Sequence, residues 1–336
     1  MKSLAFWYEP INKLNSENKA ELQLHLNHWK VKGESNNELD YFLDIGIRVK
    51  NGVNVQKLCF YLPEEILDLS TTIDDLGANL KNAKLLTAVF NENYSSNTVG
   101  NKKHFEVIHD GETQFYIYSL DIRSDCKPIH DYEGTIVKIP FTCFHGVDTY
   151  YRIRIKTDLV KNFSHIFRPK NSFFESISSS IELIDLRIND TRDLNLSLLE
   201  HIENNGVKFN ISLIHLFIMR NITDDYILSD IKLNSVRLLE KDTWETYLQT
   251  ANYEYNNSLA YHLKTKTSKE ERDRDQFIED FNALIKFRFE DSQLSRYLGY
   301  AILFALSTAI IGNILTRALQ INLHTVKNFI QTLIHG

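Results

Sequence analysis

Arg152, Arg154 and Lys156 stand in one line in the run YYRIRIK, with Tyr151, Ile153 and Ile155 on the opposite side. In an extended strand every second side chain shares a face, so these three cations form a row. A row of guanidinium and ammonium groups can hold a phosphate or an acidic partner. Tyr150 and Tyr151 beside it offer rings on which a nucleotide base can stack. The competing reading is a solvated sheet face. A second polar stretch carries Glu182, Asp185, Arg187, Asn189, Asp190, Arg192 and Asp193. Asp185 and Arg187 share a strand face. Such a pair serves a binding or active site, or belongs to a structural ion-pair network.

Cys126, His130, Cys143 and His145 combine thiolate and imidazole, a zinc-like ligand set. Cys143 and His145, however, fall on the face that carries Val137, Ile139 and Phe141. A core thiol and a hydrogen-bonded histidine explain that face as well, and no metal or cofactor is expected. His25 and His28 are three residues apart, which on a strand points them to opposite faces, so they cannot chelate together. The chain has no P-loop, no GxGxxG after a strand, no GxSxG and no HExxH. Many active sites are not local in sequence, so an enzyme is not excluded.

The elements that must position these groups are mostly strands. Leu22, Leu24 and Leu26 alternate with polar residues, as do Tyr41, Leu43, Ile45, Ile47 and Val49. Asn51-Gly52 predicts a type I′ hairpin returning along Val53–Leu62. HFEVIH, Asp110-Gly111 and ETQFYIYSL predict a second hairpin. Leu85–Phe90 reads as a strand, and TTIDDLGANLKN as a short helix. GTIVKIPF and YYRIRIK are further strands. After a Pro169 and serine-rich break, strand-like runs resume with SIELIDLRI, VKFNISLIHLFIM and IKLNSVRLL. Ile211, Leu213, His215, Phe217 and Met219 share one face of the middle run. Its other face is apolar too, which predicts a central strand. From Thr243 the period lengthens. Ser268 and Glu271 form a capping box, and Ile278, Phe281, Ile285 and Phe289 follow at helical spacing.

Tyr297–Thr316 carries no charge and is bracketed by Arg296 and Arg317. A helix of that length spans roughly 30 Å, the thickness of a bilayer's hydrocarbon core. Tyr297 and Tyr300 suit the headgroup level, and the two arginines can snorkel. Ala301, Ala305 and Ala309 form a small-residue stripe through which two such helices can approach. The competing reading is a core or interface helix of a soluble oligomer. In the tail, Leu319, Leu323, Val326, Ile330 and Leu333 predict an amphipathic interfacial helix. MKSLAFWYEP is too short an apolar stretch for a signal peptide, which predicts a cytosolic location for the domain that precedes the apolar run.

The net charge of −6 argues against a general nucleic-acid binder. Three cysteines without a secretion signal fit free thiols in a reducing compartment. Abundant Asn, Ile and Lys hint at an AT-rich bacterial genome. The expected architecture is β-rich α+β: an antiparallel, sandwich-like β domain over 1–165 and a second β-rich half over 166–245. A helical connector (246–295), a transmembrane helix (296–317) and an amphipathic tail (318–336) complete it. The expected function is a non-enzymatic sensor, scaffold or effector tethered to the inner membrane. Its expected partners are the lipid bilayer, a second copy of itself, and a partner protein or anionic ligand. Its layout, and only that, is similar to some anti-phage effectors of bacteria. The alternatives are a membrane-anchored enzyme acting on nucleotides or nucleic acid, and a soluble oligomer with a buried C-terminal bundle.

Overall fold

The computed structural model describes residues 3–12, 19–33, 39–98, 103–144, 146–167, 179–249, 253–254, 257–290 and 294–335. Among them the strands sort into three sheets. An 11-stranded sheet runs β17 (Leu233–Leu238), β19 (Ser258–Lys266), β15 (Asn210–Asn221), β2 (Glu21–Gly33), β3 (Leu39–Lys50), β11 (Thr149–Ile155), β8 (Glu112–Tyr118), β7 (His104–His109) and β6 (Ser95–Asn97). Off that path, β18 (Tyr253–Glu254) pairs with β2, and β5 (Ile73–Asp75) with β11. A 5-stranded sheet runs β14 (Val207–Lys208), β1 (Ala5–Pro10), β4 (Val55–Leu62), β10 (Gly134–Pro140) and β9 (Lys127–Asp131). A 4-stranded sheet runs β12 (Ser164–Phe167), β13 (Ser179–Ile188), β20 (Phe281–Glu290) and β16 (Asp225–Ser229). Most pairs are antiparallel, while β15 lies parallel to β2 and β11 parallel to β8.

The alternation read from the sequence becomes two different burials. One face of the large sheet sends Leu22, Leu24, Leu26, Ile45, Ile47, Ile153, Ile214 and Leu216 into a core shared with Phe6, Phe60 and Val137 of the 5-stranded sheet. Ile184, Leu186, Ile285 and Phe287 of the 4-stranded sheet join the same core. The expected halves on either side of residue 165 therefore bury side chains together. The opposite face sends Trp29, Phe42, Tyr150 and Met219 under two helices, Ala83–Phe90 and Lys241–Gln249. Full burial of each such side chain is worth about 1.5–3 kcal/mol over leaving it exposed.

The Asp110-Gly111 hairpin forms as expected: both residues have positive φ, 52° and 81°, and β7 pairs with β8. β15 is paired on both edges, by β19 and β2. Asn51-Gly52 makes no hairpin. Only Asn51 takes positive φ, Gly52 opens a 3-10 turn, and β4 leaves for the 5-stranded sheet. A type I′ turn needs both central residues at positive φ.

Leu85–Phe90 is helical, not extended. The Asn82 side chain accepts from the backbone N–H of Lys84 and Leu85, and Asn91 closes the helix at φ 54°. A short apolar run suits either element, and the caps decide. TTIDDLGANLKN divides into a helical turn, β5 and a 3-10 turn. The Ser268–Glu271 capping box forms, but its helix ends at Asp273. The expected amphipathic helix is instead β20, so the described residues within 246–295 do not form a helical connector. Phe281, Ile285 and Phe289 are four apart, a spacing that is helical and also a multiple of two. Ala283 and Phe287 complete the buried alternation. Leu294–His335 is one continuous helix that includes the tail, and Gly299–Arg317 is long and apolar enough to cross a membrane.

Gly46 has a steric reason. A Cβ there would stand 1.9 Å from the Tyr150 hydroxyl and 3.1 Å from the His25 Cβ. Gly46→Ala is expected to destabilise the fold by about 1–3 kcal/mol, seen as a lower urea midpoint at unchanged slope. Removing the Tyr150 hydroxyl in the same chain (Tyr150→Phe) should recover part of the loss.

Candidate functional site

The helix-covered face of the large sheet can be read in rows across β2, β15, β19 and β17. One row holds Trp29, Met219, Ala260 and Arg237, the next Asn27, Phe217, His262 and Ser235, the last His25, His215 and Lys264. The first row lies largely under the helices. The last lies beyond them and opens a cleft of about 310 Å³. Phe90, from the end of the Ala83–Phe90 helix, packs edge-on to His25 with 5.6 Å between centroids.

Three aromatic planes stand parallel in this cleft. Phe217 and His262 stack at 4.3 Å and 9°, and His215 lies within 11° of Phe217 and 20° of His262. His215 Nδ1 and His262 Nε2 are 2.8 Å apart, one donating to the other. On its other nitrogen His262 meets the Asn234 amide at 3.2 Å. Since an amide N–H can only donate there, His262 Nδ1 accepts and its Nε2–H is given to His215. His25 meets His215 edge-on at 4.9 Å. Burial holds the imidazoles neutral: His215 falls to about 3 and His262 to about 4, with their neighbouring cationic groups adding to the effect. His25 is also pushed well down, by burial and then by His215. No three His, Cys, Asp or Glu side chains among the described residues converge as metal ligands.

The residues singled out from the sequence lie elsewhere. Arg152 and Arg154 are fully buried rather than solvated. Arg154 grips Asp44 with two N–H groups at 2.6 and 3.2 Å. Trp29 Nε1–H and the Tyr247 hydroxyl also donate to Asp44. Arg152 donates to the hydroxyls of Tyr150 and Tyr247, and the Asn27 carbonyl oxygen accepts from it at 2.8 Å. Lys156 pairs with Asp74. Arg187 forks onto Asp185 and reaches Asp193 at 2.7 Å, beside a loop in which Asn189 accepts from the Phe6 N–H. That arrangement ties β13 to β1. Cys126 is buried, and burial with nearby Asp125 and Asp75 pushes its thiol up to about 12. His130 is exposed and Cys143 half-buried, while His145 lies outside the described residues. Ala301, Ala305 and Ala309 are exposed on the C-terminal helix.

A second buried network occupies the other face. Glu182 accepts from Lys30 at 2.9 Å and forms an ion pair with Arg220, also at 2.9 Å. Burial alone would raise the Glu182 carboxyl, but the two cations outweigh it and hold the group at about 2. His28 is fully buried beside them, held near 3 by burial and then by Arg220.

Sequence reasoning put His215 on the face of Phe217 and Met219 and missed its partners. The visible signal was an imidazole inside each of three strand-like runs, QLHLN, SLIHLFIM and AYHL. No family model matches the chain, and no curated protein matches it.

Glu182→Ala leaves Lys30 and Arg220 buried with only Asp224, 3.9 Å from Arg220, as a nearby counter-charge, an expected loss of about 3–5 kcal/mol in denaturant unfolding. Replacing all three by Met or Leu should restore most of it. For the histidines the folded-state pKa lies below the unfolded 6.5, so the unfolded chain binds more protons between the two values. Stability is therefore full above about pH 6.5 and falls as pH drops towards 4. His215→Phe should flatten that slope in thermal melts.

Proposed function

We propose that this chain is a single-pass membrane-tethered binding protein, non-enzymatic, with its β domain on the cytosolic side of the inner membrane. The observation that carries the reading is the Gly299–Arg317 segment, which has a mean hydropathy of 1.7 and none of its length buried. Leu303, Phe304, Ile310, Ile311 and Ile314 are exposed in it, while the β domain buries most of its large apolar side chains and exposes others, such as Val53, Leu67 and Leu196, scattered along the chain. So much contiguous apolar surface is not stable in water and needs lipid or protein around it. In this reading the three sheets form the layers of a sandwich-like recognition domain. Ala301, Ala305 and Ala309 supply the close-approach face for a second copy.

Two features favour binding over catalysis. The arginine–carboxylate pairs that suggested a site are committed to structural partners. The cleft imidazoles, at about 3 and 4, are poor proton carriers at neutral pH, where a general acid or base needs a pKa near the working value.

Membrane partition tests the tether. The full chain is expected to stay in membranes through an alkaline carbonate wash, and a chain ending at Glu290 is expected in the soluble fraction. A full chain that washes off would make the helix part of a soluble bundle and sink the reading.

A further inference from the structure

We propose that the histidine cleft binds a nucleoside monophosphate. The parallel plates of His215, Phe217 and His262 offer a ready stack that a flat heterocycle extends. Base–aromatic stacking tolerates any base, because every base has a π-face. At the edge of the plates, the Asn234 amide and the Ser235 hydroxyl stand 3.2 and 3.5 Å from His262 Nδ1. An amide and a hydroxyl together supply the donors and acceptors that a base edge requires.

The charged groups lining the cleft are distributed as such a ligand needs. Lys264 is exposed and lies opposite His215 in the β15–β19 register. Arg237 is steadied on the Ala88 carbonyl at 2.7 Å and on Asn91 at 3.3 Å, beside the same opening. Lysine and arginine are the usual phosphate partners. Glu92 is the carboxylate that lines the cleft, and a carboxylate near a nucleotide accepts from sugar hydroxyls. The volume of about 310 Å³ sits at the lower end of small-molecule sites, which fits one nucleotide rather than two. Neutral rings stack without repelling the lysine and arginine beside them.

The proposal deepens the binding-protein reading and rests on it only in treating the nucleotide as bound and not turned over. Its test is independent of membrane partition. The full chain in detergent micelles is titrated calorimetrically with AMP, GMP, CMP and UMP, and with adenosine, guanosine, cytidine, uridine and ribose 5-phosphate as fragments. At least one nucleotide is expected to bind, with ribose 5-phosphate weaker by about tenfold or more. Phe217→Ala should weaken the nucleotide and its nucleoside alike. Lys264→Glu, on the exposed rim where folding is not at stake, should weaken the nucleotide about tenfold and leave the nucleoside unchanged. The proposal falls if no nucleotide binds, if ribose 5-phosphate binds as tightly, or if Lys264→Glu leaves nucleotide affinity intact.

Discussion

Asp44 sits at zero exposure within the large sheet and accepts from Arg154, Trp29 and Tyr247. Its donors come from β11, β2 and the Lys241–Gln249 helix, while Asp44 itself belongs to β3. One carboxylate therefore ties the register of three neighbouring strands to the docking of the helix above them. Burying it is tolerable only because several donors converge on it. Arg152 adds a second cation whose N–H groups are taken up by Tyr150, Tyr247 and Asn27. A strand slipped by one residue would turn these groups onto the opposite, apolar face, so the network selects one register as well as stabilising it.

The same constraint recurs on the reverse face, where Glu182 joins Lys30 of β2 to Arg220 of β15. The large sheet is thus pinned by charge on both sides and filled with hydrocarbon between the pins. Polar groups in such a sheet escape a desolvation cost only by being paired or by being open to solvent. The histidine cleft is the second case. It begins where the covering helices stop, and its aromatic rows continue the core beneath them. A surface made this way inherits much of the rigidity of the sheet, because most of its polar side chains stand on strands, with Glu92 added from beyond the Ala83–Phe90 helix.

The C-terminal helix follows a different pattern. Inside the β domain, apolar side chains disappear from water by packing on one another. Along Gly299–Arg317 they remain exposed, as a lipid-facing segment requires. Apolar burial by packing and an exposed apolar surface are then carried by separate stretches of one chain, each following its own pattern of hydrophobicity.

Much of this was legible in the residues. The alternating runs specified strands because one face of each is buried, Asp110-Gly111 specified its turn, and the uncharged Tyr297–Thr316 run specified a long apolar helix. What alternation cannot specify is what lies on the far side of a face. Arg152 and Arg154 looked like a solvated row because Asp44, their counter-charge, is more than a hundred residues away. Phe281–Phe289 looked helical because a four-residue spacing satisfies both periods, and only pairing with β16 and β13 chose the strand. His25, His215 and His262 were three unrelated imidazoles until strand pairing laid β2, β15 and β19 side by side. Local sequence determined the elements, since backbone geometry and side-chain period are local. Tertiary structure decided which charges are buried and which rings stack, since those depend on neighbours that only the folded sheet brings together.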